Sequence, residues 1–297
     1  MVVVTRPLTI AYVGNFKHKH CTEVHVMQAL RALGHKVIPL QENQVRWRTI
    51  PPTVRQRRVN MLMWTRTWDC DNVQAVRALE QLRTWKIPTV SFHLDRWWGL
   101  DREYQVASAA FFRTDHLFSP DGGNDDRWKT AGVTHHWSPP GVSAFDCAVT
   151  QSSLATWPHP VVFVGSHPYP HKEWEGYRSK VINTVHAAVG DKFAVLPGVG
   201  QPGIREAQLR SLYATVKIVV GDSCLAGGAT HYWSDRTPET LGRGAFFIHP
   251  YVEGMSDWYV DGKHLVYYDQ GDWKGLTKTV RWWLENDIER AKVAAAG

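Results

Sequence analysis

Several groups of residues have the types and spacing to do chemistry. In the segment SFHLD, Ser91, His93 and Asp95 alternate. On an extended strand alternate residues share one face, and Asp95 would stand at the strand's carboxyl end. A carboxylate or imidazole in that place suits a base that takes a proton from a hydroxyl, with Asp95 first, His93 next and His20 third. Asp95 also has a plainer reading, as the partner of Arg96 or the cap before Trp97 and Trp98. His18, His20 and His25 follow Gly14-Asn15. They lack the i,i+4 spacing of a helical metal pair, and no carboxylate cluster accompanies them, so we expect a loop over a site and no metal. Asp69-Cys70-Asp71 is taken as the N-cap of a following helix rather than as a metal site. The run RWRTIPPTVRQRR (46–58) carries five arginines and no acid. Arg46, Arg48, Arg55, Arg57 and Arg58 offer phosphate contacts and Trp47 a stacking surface, the combination a nucleic-acid groove uses; a solvated loop is the alternative.

Charge is distributed unevenly. Residues 1–150 hold 19 Lys and Arg against 13 Asp and Glu, whereas residues 151–297 hold 15 of each, so the whole excess of +6 lies in the first half. That asymmetry points to a polyanionic partner of the first half. With 43% hydrophobic and 21% charged residues, the chain has a globular composition. No apolar run approaches the roughly 20 residues that span a bilayer, and the start MVVVTRP has no signal-peptide stretch, so a cytoplasmic protein without membrane contact is expected. The four cysteines, at 21, 70, 147 and 224, form no C-x-x-C pair, and reduced thiols are expected. Most of the 15 tryptophans must serve packing; Trp97 and Trp98, near Asp95, are candidates to stack on a base or sugar.

The elements that must position these residues alternate. LTIAYVGN (8–15), KVIPL (36–40), NMLMWT (60–65) and IPTVSFHL (87–94) read as buried parallel strands, and 109–119 as a fifth with its flanks. Helices are expected at Val26–Leu33, stopped by Gly34, and at Val73–Leu82. From Trp137 to Pro160 the Pro, Ser and Gly content marks a boundary. The pattern then restarts with VVFVGS (161–166), FAVLPG (193–198), TVKIVVGDS (215–223) and GAFFIHP (244–250). Helices are expected around Tyr177–Ala188, Ile204–Tyr213 and Leu276–Ile288. This is an α/β chain of two Rossmann-like domains, 1–150 and 151–297, with parallel sheets expected to face a central cleft where ligands bind beyond the strands' carboxyl ends.

The segment SDRTPETLGRGAFFIHPYVEGMSDWYVDGKHLVYYD (234–269) resembles the donor-site signature of two-Rossmann (GT-B) glycosyltransferases, especially the spore-maturation-like CgeB group. The matching positions are Arg236, Glu239, Gly244 with the strand AFFI, Asp261-Gly262 and Tyr268-Asp269. The resemblance extends more loosely through GVTHHWSPPG and VVFVGS. It implies a nucleotide-sugar donor, UDP- or GDP-linked, bound by the second domain, with an acceptor recognised by the basic first domain and no metal or other cofactor. It implies a ribose contact for Glu239, and a diphosphate contact for Arg236 and for Arg178 on the helix after VVFVGS. Thr237 opens a helix whose N-terminus suits phosphate, and Gly14, Gly165 and Ser166 end strands where a phosphate would lie. The structural alternative for Arg236 and Glu239 is an exposed i,i+3 ion pair. Many such enzymes carry a second glutamate eight positions before the first. Here that position is His231, so the sugar contact passes to His231, Tyr232 or the Gly227-Gly228 backbone. Some phage-encoded glycosyltransferases modify bases in DNA; with the charge asymmetry, this makes a modified DNA base the expected acceptor. The alternatives are a protein or small glycan acceptor, an inactive scaffold that binds nucleic acid, and a nucleotide-sugar epimerase.

Overall fold

The computed structural model describes residues 6–147, 157–169, 172–198, 202–204, 206–225 and 228–297. The chain divides into two compact units, Met1–Ser138 and Pro139–Gly297. The first unit holds β1 (Thr9–Gly14), β2 (Lys36–Gln41), β3 (Met61–Trp64), β4 (Thr89–Phe92), β5 (His116–Ser119) and β6 (His135–Trp137). They form one sheet in the order β2-β1-β3-β4-β5-β6, and every neighbouring pair is parallel. Between them run α1 (Thr22–Ala32), α2 (Ile50–Gln56), α3 (Asn72–Thr84), α4 (Gln105–Ser108) and α5 (Asp125–Thr130). Near-continuous burial of β1 is what a central strand covered on both faces requires. Asp71 caps α3, its Oδ1 accepting the Gln74 amide at 3.0 Å, as the D-x-D string suggests.

The second unit opens with α6 (Ala144–Cys147) and carries β7 (Val161–Val164), β8 (Phe193–Leu196), β9 (Ile218–Val220), β10 (Phe247–Pro250) and β11 (Val266–Tyr268). The sheet order is β11-β10-β9-β7-β8, again all parallel. Its other helices are α7 (Lys172–Val189), α8 (Glu206–Thr215), α9 (Arg236–Leu241), α10 (Trp273–Glu285) and α11 (Asp287–Ala296). The fold class is therefore as expected, α/β with two parallel sheets. No helix among the described residues is long and apolar enough to cross a membrane.

Local expectations fail where burial and strand character part company. Ala110–Arg113 is a 3-10 turn rather than part of a strand; Phe111 and Phe112 are buried because the turn packs on α3. The polar HHW of β6 and the short VYY of β11 are edge strands whose sequences give little periodic signal. The single C-terminal helix expected at 276–288 is two, separated at Asn286.

Five tryptophans of the first unit, Trp47, Trp64, Trp97, Trp98 and Trp128, are core residues. Trp47 lies with its ring centroid 4.3 Å from that of Trp64, and Trp64 in turn meets Phe111 at 5.3 Å. Trp47 is 4% exposed, which removes it as a stacking surface for a nucleic-acid base. Trp97 and Trp98 are likewise buried, against Phe112 and Trp128 respectively. Trp47→Ala should therefore cost stability, about 3–5 kcal/mol for a buried Trp truncation, in urea unfolding followed by circular dichroism; a loss below about 1 kcal/mol would contradict its place in the core.

Candidate functional site

The second unit concentrates its buried charge at the carboxyl ends of β7 and β9. Strand β9 ends at Val220 and delivers Gly221 and Asp222 beyond it. Asp222 is fully buried. Its Oδ2 accepts from Arg178 Nε at 2.7 Å and Trp174 Nε1 at 2.9 Å, and its Oδ1 from Arg236 Nη1 at 2.7 Å. Burial pushes this carboxyl's pKa up, but the charges and hydrogen bonds of Arg236 and Arg178 outweigh burial and hold it below the usual carboxylate range. The ordinary cost of burying a carboxylate is met here by two guanidinium partners and an indole.

The two arginines are not equivalent. Arg178 comes from α7 and is 2% exposed. Besides Asp222, it gives Nη1 to the Ser166 carbonyl at 2.9 Å, and its guanidinium carbon lies 4.0 Å from the Tyr169 ring centroid. With Nε, Nη1 and Nη2 all committed, Arg178 holds the site rather than presenting a cation to a diphosphate. Arg236, at the start of α9, bonds Asp222 through Nη1 only. Its Nη2 lies against Gly165 so closely that a methyl group there would stand 2.6 Å away. Gly165 is thus required for close approach, and its own amide is spent on the Leu196 carbonyl at 2.8 Å, so it is no phosphate donor. Arg236 does not pair with Glu239. Glu239 lies 3.7 Å from Arg243, at i,i+4, with about a third of its side chain exposed. Neither the exposed i,i+3 pair nor a sealed core ion pair describes these residues.

Around this charge cluster lie buried polar atoms with no hydrogen-bond partner among the described residues, namely Thr237 Oγ1 and His249 Nε2. His249, on β10, bonds the Pro250 carbonyl through Nδ1 at 2.7 Å, which makes Nδ1 the protonated nitrogen and Nε2 a bare acceptor. Burial pushes its pKa down to about 4, so it stays neutral. His231 has a left-handed backbone (φ 52°), gives its amide to the Glu253 carbonyl at 2.8 Å, and lies over Gly254, where a methyl group would meet its ring. Gly227 lies outside the described residues. The remaining signature positions shape the chain: Asp261 Oδ1 accepts the Tyr267 amide at 2.8 Å, Gly244 and Gly262 adopt positive φ at turns, and Tyr268 is a core residue of β11.

In the first unit, β4 ends at Phe92, so His93 and Asp95 stand in the following loop and share no strand face with Ser91. Ser91 is buried and bonded to the Phe111 carbonyl. Asp95 Oδ2 accepts from Arg102 at 2.8 Å, and His93 uses both nitrogens on backbone, Nε2 on the Arg66 carbonyl at 2.9 Å and Nδ1 on the Asp95 amide at 3.1 Å. His20 is exposed and stacks on His18, centroids 5.4 Å apart. Gly14 belongs to this unit, at the end of β1, where the Glu23 side chain fills the space a methyl group would need. Arg46, Arg48, Arg55, Arg57 and Arg58 are all exposed. Three buried acids of the first unit escaped notice in the sequence: Glu23, in the first turn of α1, Glu42, just past β2, and Asp121, just past β5, whose Oδ2 accepts the Trp97 and Trp98 amides. So did Asp222, although an acid straight after an apolar strand is the same signal that singled out Asp95. Among the described residues, no three or more His, Cys, Asp or Glu side chains group to hold a metal ion. Asp222→Asn, which leaves two buried arginines short of their counter-charge, should destabilise the second unit by about 3–5 kcal/mol; a melting temperature equal to that of the unaltered protein would show that Asp222 does not hold the cluster.

Residues 153–297 match the model of the family described as glycosyl transferase-like. No curated protein matches the chain in sequence. In fold, the chain is similar to HepE of Anabaena solved with UDP-glucose, at 12% identity and TM-score 0.64, over 97% of this chain and 93% of that one. It is also similar to a glycosyltransferase from Rickettsia africae, at 10% identity and TM-score 0.63, over 98% and 92%. Sucrose-phosphate synthase from Thermosynechococcus elongatus follows at 12% identity and TM-score 0.59, over 97% and 92%. At such identities the likeness establishes the fold, which is GT-B. Residues 153–297 thus resemble the glycosyl transferase-like family, and the chain as a whole shares the two-Rossmann GT-B fold.

Proposed function

We propose that the chain transfers a sugar from a nucleoside-diphosphate donor, UDP in the first instance, to an acceptor hydroxyl, and that the second unit binds the donor. The observation that carries this reading is Arg236, anchored through one nitrogen on Asp222 while Nη2 lies against the side-chain-free Gly165 at the end of β7. A fixed cation at the carboxyl edge of a Rossmann sheet suits a diphosphate, and stabilises it further as a leaving group when the glycosidic bond breaks. Glu239, partly exposed in the first turn of α9, supplies the ribose contact, Thr237 and His231 stand as further donor-side contacts, and Arg178 positions Asp222. Between UDP and GDP, HepE, similar in fold and solved with UDP and with UDP-glucose, favours UDP. In titration calorimetry Glu239→Ala should weaken UDP binding by about 1–3 kcal/mol. Unchanged affinity in a folded Glu239→Ala protein would remove Glu239 from the site.

For the acceptor, the positive excess of the first half and the exposed arginines of 46–58 favour a polyanion, and on that charge alone we take the acceptor to be a modified base in DNA, as some phage-encoded glycosyltransferases use in the host cytoplasm. Arg48, in the 3-10 turn Trp47–Thr49 just before α2, and Arg55, in the last turn of α2, are both exposed and offer phosphate contacts. Trp47 takes no part. Binding to duplex DNA should weaken steeply with salt, and neutralising Arg55, Arg57 and Arg58 together should flatten that slope by about 0.9 per lost phosphate contact while UDP binding is unchanged. Gel shifts over a salt series decide this: no binding near about 0.1 M salt, or identical slopes for both proteins, ends the DNA assignment and leaves a protein or glycan acceptor.

A further inference from the structure

Within the first unit, the ends of α2 and α3 enclose a groove of about 410 Å3, lined by Val54, Arg55, Arg58, Val59, Trp85 and Ile87. That size falls in the range of clefts that take small ligands. Its floor is aliphatic, its one ring is the half-buried Trp85, and its rim is cationic, with Arg55 and Arg58 both exposed. The Arg55 guanidinium carbon lies 5.6 Å from the Trp85 ring centroid, a cation held beside an aromatic face. Among the described residues, no carboxylate lines the groove. Helix α2 leads into β3 and α3 into β4. The groove therefore lies at the amino edge of this sheet, opposite the carboxyl edge where Rossmann sheets take the ligands they act on.

The backbone beside the groove is unusual in the same place. Helices α1 and α5 stop at Gly34 and Gly132, in left-handed backbone at φ 90° and 70°. Helices α2 and α3 stop with the same pattern of hydrogen bonds, the Val59 amide reaching back to the Val54 carbonyl and the Ile87 amide to the Leu82 carbonyl, each at 3.0 Å. Their left-handed residues, however, are Arg58 (φ 49°) and Lys86 (φ 58°), both exposed. A side chain in that backbone costs stability that glycine does not. All four helices already carry a basic residue in the last turn, so the helix ends do not require these two further cations. We propose that the groove holds single-stranded nucleic acid, an unpaired base stacking on Trp85 while the adjoining phosphates lie on Arg55 and Arg58. The proposal deepens the nucleic-acid reading of the first unit given above and rests on it. Trp85 takes the stacking role that the buried Trp47 cannot, and the groove is a holding site apart from the base that would be modified. A stacking ring bordered by phosphate contacts is what a single strand uses. An acidic peptide would meet the arginines but gain nothing from the ring, and a base paired within a duplex keeps its faces covered by its neighbours.

The test is fluorescence anisotropy with a labelled thymidine oligonucleotide, single-stranded and paired to its complement, at about 0.1 M salt, with melting temperatures taken alongside. The single strand should bind the full chain more tightly than the duplex. Trp85→Leu should weaken single-strand binding about tenfold, whereas Trp85→Phe, which keeps a ring, should retain most of it. Trp85 also packs on the core, so Arg58→Gly supplies a variant that misfolding does not confound. Glycine suits φ 49°, and the melting temperature should hold while the salt slope on the single strand falls by about 0.7 per lost phosphate contact. Wild-type affinity in a folded Trp85→Leu protein, an unchanged slope in Arg58→Gly, tighter binding of the duplex, or competition by polyglutamate equal to that by unlabelled oligonucleotide would each overturn the groove assignment. Each of these would leave the wider nucleic-acid reading in place. A wild-type protein that binds neither single strand nor duplex at that salt would end the nucleic-acid reading, and this assignment with it.

Discussion

The second unit depends on a carboxylate that would be intolerable alone. Asp222 has no exposed surface, and an isolated charge at such a place costs several kcal/mol even after relaxation. Two guanidinium groups and an indole N–H make it tenable. In doing so they fix residues from three separate segments, α7, the end of β9 and the start of α9. With two cations on one anion, the cluster keeps a net positive charge at the sheet's carboxyl edge. The neutral state of His249 beside it keeps that excess from growing.

The same arrangement separates two roles that one residue type could have shared. Arg178 is enclosed by Tyr169, Trp174 and Phe163 and spends its donors on the protein. Its planar fork is what allows simultaneous contact with Asp222 and the Ser166 carbonyl, a geometry a lysine could not reproduce. Arg236 shares the anchor but packs its guanidinium against Gly165, whose lack of a side chain makes room for it. Exposure as well as charge sets the two arginines apart, with 3% of the Arg178 side chain accessible against 13% of that of Arg236.

The alternation of strands and helices was legible because parallel strands covered on both faces leave apolar runs, such as those around Tyr12, Leu62, Phe163 and Val219. Edge strands without such runs, β6 and β11, were not. At the site, Arg236, Glu239 and Arg178 were visible as residues, but their pairings were not: Arg236 reaches Asp222 and Glu239 reaches Arg243, contacts that depend on tertiary placement. Trp47 shows the opposite failure. An aromatic set among arginines reads as a binding surface, yet a large ring next to Ile50 and Val54 on a sheet-packing helix is drawn into the core. Nothing in the sequence around Glu23 signals its burial, which depends on the bare Gly14 making room for its side chain.

Thr67 gives its amide to Glu42 and its hydroxyl to Glu23, and Glu23 in turn needs Gly14 to be bare. These four positions come from four different stretches of the chain, yet none can change without altering what the others bond. The free-energy effects of substitutions among them should not add, since each single change already breaks contacts that the next would remove. As the sequence drifts, the loops after β1, β2 and β3 are therefore bound to vary as a set, even though they are distant along the chain.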